Sequence, residues 1–519
     1  MQKFLNHNRE LTKANKNRIK KIDGIVLFEE TIEYPRIIAM SYLALYWSSK
    51  GYNLYSYQVG IKRNFIRNFF TTLLARMPIP HESRIKHRIS KSLSFSGRIK
   101  PGIAKLAHED EAIINSLINA PREKVLDLTF LGISVGENFY DWYLRVYQRV
   151  TIDTNSIEFI ESLTKFLELT KWWVQFFDKN NVICVNVSHT TYAQGLLARI
   201  AVAKKITCIC MSFDKLYSLN EERPNSECEF QEYKKDSMQF LEYPLNLKRS
   251  KIELDRLVTG SEFVTREHRI KSGFQDMNVD FKFPYSECQY MSMIASHCFT
   301  DAPHQQGNML FPDFYTWLEF MAETTLHSNH QWFVKPHPHF TAAEDEAFKL
   351  IVEKYPHLIS IPKGVSNVEL FRFGIRSVFT VHGTIAFDAA TQGIMSVAAS
   401  NNTSYKGYGF SILPKSVDEL KEICLNLESY VDKYRVNELE VLHYFDAHHL
   451  RSMHTWVFRE NLVKISETMS GYSNIFNDSK LLDLWLHTVW SQDYHDENLN
   501  SIEKFLNSGQ YFVDGHFFR

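Results

Sequence analysis

Several things are scarce in this 519-residue chain, and each scarcity excludes something. Its seven cysteines are scattered, with only Cys208 and Cys210 close together, and no CxxC pair or Cys/His ligand spacing occurs. That speaks against a zinc module and a disulfide framework, and it fits a reducing compartment. There is no basic excess: 59 Lys and Arg stand against 60 Asp and Glu, for a formal charge of -1. A general nucleic-acid binder would be more basic. No uninterrupted apolar run approaches the roughly 18–20 residues of a membrane span. The opening residues, MQKFLNHNRELTKANKNRIKK, carry no apolar signal core. The expectation is a cytoplasmic protein, peripheral on the inner face of a membrane if it meets one at all. Also missing are GxGxxG, GxxxxGK followed by Ser or Thr, and HExxH, the marks of common dehydrogenases, P-loop enzymes and zinc proteases. No isolated DxD lies between apolar strand residues, so metal-independent chemistry without a resident cofactor is expected.

What is present describes an ordinary globular protein, 44% hydrophobic and 23% charged, too long for one core. Aromatics reach 14%, with 38 Phe and 25 Tyr; most will be core, although sugar-handling surfaces also use aromatic faces. One local asymmetry stands out. Between Lys62 and Lys100 ten Lys or Arg face a single acid, Glu82, and Phe65, Ile66, Phe69, Phe70, Leu73 and Leu74 are interleaved. This reads either as a solvated helix and loop or as a basic amphipathic dock for an anionic membrane surface or polyanionic acceptor.

The apolar pattern alternates between strand and helix. Strands are predicted at Gly24–Glu30, Asn53–Val59, Lys124–Phe130, Asn181–Ser188 and Ile206–Met211, with helices at Tyr34–Lys50, Ile157–Phe177 and Tyr192–Lys204 between them. The rhythm fades over 214–285 and restarts at Tyr290–Phe299. Further strands follow at Gln331–Val334, Leu358–Ile361, Ser377–Val381 and Met395–Ala399, separated by helices. Such alternation marks parallel, doubly wound sheets. The predicted fold is α/β and GT-B-like, with two Rossmann-type domains facing a cleft. Its parts are an acceptor-side domain over 1–285, a donor domain over 286–440 and a helical tail over 441–519. In that tail Leu481, Leu482, Leu484 and Trp485 would pack it back onto the first domain.

Ligands of open parallel sheets collect at the carboxyl ends of the strands. Three segments put polar residues there. Val334-Lys335-Pro336-His337-Pro338-His339 delivers a cation and an imidazole into a loop stiffened by prolines; it is either a phosphate contact or a solvent-facing turn. Val381-His382-Gly383-Thr384 opens a helix and reads as an anion-binding start or an ordinary N-cap. Ser296 to His304 contains Asp301 and His304, an acid/base pair or an Asx-turn.

These segments resemble those of bacterial capsule-biosynthesis glycosyltransferases, including Kdo transferases, and more distantly bacterial sialyltransferases with their HP and Ser/Thr motifs. VKPHP and HGTIAFDAATQG carry the likeness, joined by SHCFTDAPH, FPDFYTWL, LGISVGENFYDWYLR and SHTTYAQGLLARIA, over roughly residues 24 to 450. The resemblance implies a CMP-activated sugar-acid donor, with His337 on the donor phosphate and Lys335, Pro338, His382, Gly383 and Thr384 around it. Gly383-Thr384 departs from the Ser/Thr pair of the sialyltransferases. It also implies a lipid-linked glycan acceptor and a catalytic carboxylate. Asp301 is favoured for that role over Glu29, Glu30 and Asp141, while His189 and Tyr192 are acceptor contacts or a plain helix start. KPHP-like and HGT-like segments also occur in CDP-glycerol-type glycerophosphotransferases. A non-catalytic glycan-binding subunit is the more distant alternative.

Overall fold

The computed structural model describes residues 2–18, 22–31, 33–60, 91–93, 95–212, 215–226, 230–259, 273–274, 281, 283, 290–307, 309–450, 456 and 491–513. The basic stretch over 62–100 lies mostly outside the described residues, as do Leu481, Leu482, Leu484 and Trp485. Two compact units emerge. The first comprises 1–142, 154–226 and 452–519, and the second 143–153 and 227–451. Residues 227–258, assigned by sequence to the first domain, thus cluster with the second unit.

The first unit is built on β1 (Ile25–Glu29), β2 (Asn53–Tyr57), β3 (Gly97–Ile99), β6 (Val182–Val187), β7 (Thr207–Met211) and β8 (Leu216–Leu219). Its sheet runs C-terminal strand–β8–β7–β6–β1–β2–β3. From β7 to β3 all pairs are parallel, whereas β8 is antiparallel to β7. The runs Ile-Val-Leu-Phe and Val-Ile-Cys-Val form the centre because a strand covered on both faces has no place for a polar side chain. Ile157–Lys179 is helical as its periodicity predicts. Ser156 caps it by accepting from the Phe159 N–H at 3.2 Å, and Phe159, Leu163, Phe166, Thr170, Trp173 and Phe177 form its buried face.

One sequence reading is corrected here. Lys124–Phe130 is not a strand: Glu123–Leu126 makes a short helix after Pro121, and only β4 (Thr129–Phe130) pairs, with β5 (Ile133–Ser134). The turn between them is Leu131-Gly132, both at positive φ (51° and 77°), the twist a two-residue hairpin demands. The tail is helical over Gln492–Ser508, as predicted, and beyond that helix Phe512–Val513 forms a strand antiparallel to β8 and joins the first sheet.

The second unit carries a five-stranded, all-parallel sheet in the order β11–β10–β9–β12–β13. These strands are β9 (Met291–Ala295), β10 (Gln331–Lys335), β11 (Leu358–Ser360), β12 (Ile375–Thr380) and β13 (Met395–Ala398). Two apolar cores cover its faces, with Trp332 and Val334 in one and Phe333 in the other. In both sheets the first strand sits in the middle and the chain reverses direction beside it, between β1 and β6 in one unit and between β9 and β12 in the other. In such sheets the crevice at that reversal, past the carboxyl ends, is where ligands bind.

Candidate active site

In the second unit the strands at the reversal end in histidines. His297 follows β9 and His382 follows β12. Together with His337, from the loop after β10, they line a cavity of about 150 Å³ shared with Cys298, Asp301, Gln305, Gln306 and Phe314. His297 is held rigidly. Its ring stacks on Phe314 with centroids 4.4 Å apart, and its Nε2 receives the Val381 and His382 backbone N–H groups at 3.1 and 3.3 Å. The Thr380 hydroxyl, 3.0 Å from the same nitrogen, accepts from the Gly383 N–H at 3.1 Å. A nitrogen met by several donors carries no proton, so the ring is neutral with its proton on Nδ1. Burial, followed by the neighbouring His382 and His337, holds its pKa well below the usual histidine range.

His337 is fixed in the opposite tautomer. Its Nδ1 accepts from the His339 N–H at 3.2 Å and lies 2.9 Å from the Cys298 sulfur, which leaves the ring proton on Nε2. Burial pushes the Cys298 thiol up to about 12, so it acts as a donor and not as a thiolate. His382 differs from both. Neither ring nitrogen makes a hydrogen bond of full geometry among the described residues, although the Pro303 carbonyl favours its protonation. Burial outweighs that and lowers it to about 4. The pocket therefore offers imidazole N–H groups positioned by their second partners. That suits an anion more compact than a whole sugar, such as a phosphate.

Gly383 has no alternative at its position, because a Cβ there would stand 2.4 Å from the Thr380 hydroxyl. Thr380→Val should leave the Gly383 N–H without its acceptor and remove one of the groups fixing His297. A loss of about 1–3 kcal/mol in denaturant unfolding checks this.

The other residues singled out by sequence lie as follows. Asp301 lines the cavity on its exposed side, 3.8 Å from the Arg145 guanidinium. His304 is buried with its Nε2 donating to the Pro312 carbonyl at 3.0 Å, and it is not among the cavity's lining residues. Pro338 and Thr384 are exposed, and Thr384 makes no side-chain cap bond. Lys335 turns away from the cavity. It is buried with Nζ 2.6 Å from Asn367 Oδ1, and Asn367 in turn donates to Asp388 Oδ2 at 2.9 Å. Burial lowers its pKa to about 8 against the pull of Asp388 and Glu369.

The first unit has its own polar cluster at its own reversal. Glu29, the last residue of β1, is buried, and its Oε2 accepts from the Ser188 N–H at 2.6 Å and from the Ser188 hydroxyl at 2.8 Å. Next to Ser188, past the end of β6, His189 receives the Arg36 guanidinium at 2.9 Å on Nδ1. Arg36 also lies 3.3 Å from Glu33. Burial raises the Glu29 carboxyl to about 7, opposed by the Ser188 bonds, by Arg36 and by the His189 N–H. Glu30 points elsewhere and ties β1 to Ser56 on β2 and Arg98 on β3, at 3.0 and 2.7 Å. Asp141 is buried on the helix Gly136–Tyr147. Tyr192 starts a turn at φ 54°, its carbonyl held by Asn138 at 3.0 Å.

Sequence reasoning pointed to the carboxyl ends of the second sheet's strands but did not single out His297, Cys298 or Arg36. It named Glu29 without preferring it. The usable signal was position: Glu29 and His297 close the two strands at which each sheet reverses. Among the described residues no three His, Cys, Asp or Glu side chains are arranged to hold a metal ion, and no helix is long and apolar enough to cross a membrane.

Two Rossmann-type units in series, followed by a largely helical tail, make this an α/β chain of the GT-B-like class. No family model and no curated protein matches the sequence. Among solved structures it is similar to the KpsC β-Kdo 2,4-transferase of Thermosulfurimonas dismutans, at 13% identity and a TM-score of 0.30, covering 51% of this chain and 79% of that one. It is also similar to a UDP-GlcNAc 2-epimerase from Neisseria meningitidis (8% identity, TM-score 0.24, covering 82% and 97%). A third is MurG of Acinetobacter baumannii (9% identity, TM-score 0.24, covering 86% and 100%). Likeness this low says nothing about donor or acceptor.

Proposed function

We propose that this chain is a glycosyltransferase of bacterial surface-polysaccharide synthesis, working in the cytoplasm with a CMP-activated sugar acid as donor. The observation that carries the reading is the histidine-lined cavity at the reversal of the second sheet. His297 and His337 are held there as neutral N–H donors by Thr380, the Val381 and His382 backbone, Cys298 and the His339 N–H. Donors arranged before the ligand arrives stabilise charge as it develops on a departing phosphate without reorganisation. A CMP-linked donor places one phosphate there, which matches the small volume. His337 is assigned to that phosphate.

Asp301, on the exposed side of the same cavity, is the carboxylate assigned to activate the acceptor hydroxyl. The acceptor is taken to be a lipid-linked glycan, in keeping with the resemblance of the sequence segments. Donor turnover tests the reading. With CMP-Kdo and a Kdo-terminated glycolipid, free CMP should appear and the product should gain sugar without phosphorus. A product that gains phosphorus from CDP-glycerol would replace this reading with the glycerophosphotransferase one.

A further inference from the structure

Beyond the carboxyl ends of β9 and β10 the pairing of the two strands continues through side chains. Ser296 donates its N–H and its hydroxyl to the Lys335 carbonyl, each at 3.0 Å. Cys298 then meets His337, Phe299 packs its ring on Phe340 with centroids 5.0 Å apart, and Thr300 reaches Glu344. Three consecutive residues after β9 thus each touch the segment that follows β10. The same two segments bring Asp301 and His337 to the cavity.

Of these three contacts the last is both strong and directional. A thiol is a weak donor, and a ring pair fixes separation better than register. Glu344 is fully buried, and its carboxylate accepts from three donors. Oε1 takes the Thr300 N–H at 2.9 Å and the Thr300 hydroxyl at 3.2 Å, while Oε2 takes the Thr341 N–H at 2.7 Å. The Thr341 bond is half of a capping box that opens the helix Ala342–Lys354. Its other half is the Glu344 N–H on the Thr341 hydroxyl at 3.4 Å. A capping box needs one carboxylate oxygen. Here the second oxygen is given to the opposite segment.

We propose that Glu344 is a positioning residue of the histidine cavity: its carboxylate sets the register of the chain after β9 against the chain after β10, which keeps Cys298 on His337 Nδ1 and Asp301 at the cavity's exposed side. The consequence for a bound ligand rests on the phosphate reading of that cavity, whereas the register does not. Burial, and after it the Glu344 charge, holds the Cys298 thiol high, so the same carboxylate keeps that thiol protonated beside His337.

Glu344→Gln keeps the shape but puts an amide NH2 where one carboxylate oxygen accepts, so one of the two segments loses its acceptor. Two measurements on the full-length protein decide its role. Thr341→Ala is the control, since it weakens the same cap and leaves the Thr300 link. Alkylation of Cys298 by iodoacetamide, followed by mass spectrometry of its peptide, should be about tenfold faster in Glu344→Gln, the effect of about one pH unit in the thiol. CMP binding by calorimetry should weaken about tenfold, as for the loss of one charge-assisted hydrogen bond. Thr341→Ala should leave both readings at their wild-type values while lowering the melting temperature. Should Glu344→Gln fail to fold, Thr300→Val removes only the hydroxyl link and should move both readings the same way by about threefold. Either reading unchanged in the folded variant, or moved as far by Thr341→Ala, would overturn the proposal. If CMP does not bind wild type, the phosphate reading falls and the thiol rate alone judges Glu344.

Discussion

Asp301→Asn is expected to lower the rate of sugar transfer by about 10²–10⁴-fold, the usual contribution of a general base. Glu29→Gln in the first unit should act on stability instead, raising it at pH 8. The unfolded carboxyl titrates at about 4.5 and the folded one at about 7, so between those values the folded state holds the extra proton. The stability gained from Glu29 is therefore full below 4.5 and is lost as pH rises through 7, on the order of 3 kcal/mol in all. The amide introduced by Glu29→Gln cannot ionise and should flatten that slope. A Glu29→Gln protein no more stable than wild type at pH 8 would contradict that buried, protonated carboxyl. An Asp301→Asn enzyme of wild-type activity would remove Asp301 from the mechanism.

Lys335→Met is expected to destabilise the second unit by about 1–3 kcal/mol, since it leaves the buried Asn367 side-chain oxygen without its donor. In a unit of this size that is a fall in melting temperature on the order of 5 °C. CMP should still stabilise whatever variant protein is folded, because Lys335 faces Asn367 and not the cavity. Loss of CMP binding with unchanged stability would instead make Lys335 a phosphate ligand. The pH dependence has the opposite sign to that of Glu29. The folded amine titrates at about 8 and the unfolded one at 10.5, so the unfolded state holds more protons in that window and stability rises with pH across it. Lys335→Met should abolish that rise.

Much of the fold was legible because central parallel strands need unbroken apolar runs, and the first unit's Ile25–Phe28 and Val182–Val185 and the second unit's Met293–Ala295 supply them. Where a run was short and its neighbours were turn-formers, as at Lys124–Phe130, period alone did not separate helix from strand. The two-residue strand Phe512–Val513 is fixed by its partner β8, which no local pattern reveals. The site was legible at the level of strand ends and not of side chains. Lys335 shows why. Trp332 and Val334 enter one core and Phe333 the other, so Lys335, two residues on, follows Phe333 to the side of the helix Asn367–Arg372. Likewise His304, seven residues past His297, is spent on the Pro312 carbonyl, while His297 stays at the cavity.

The central claim is that the histidine cavity of the second unit holds the phosphate of a CMP-linked donor. Thermal unfolding of wild type and His337→Ala with CMP, CDP, UDP, GDP or ADP tests it most directly, since a ligand raises the melting temperature in proportion to its occupancy of the folded state. The account predicts stabilisation of wild type by CMP above the others, and its loss in His337→Ala. Stabilisation by UDP or GDP in place of CMP, or a CMP effect undiminished in His337→Ala, would contradict it.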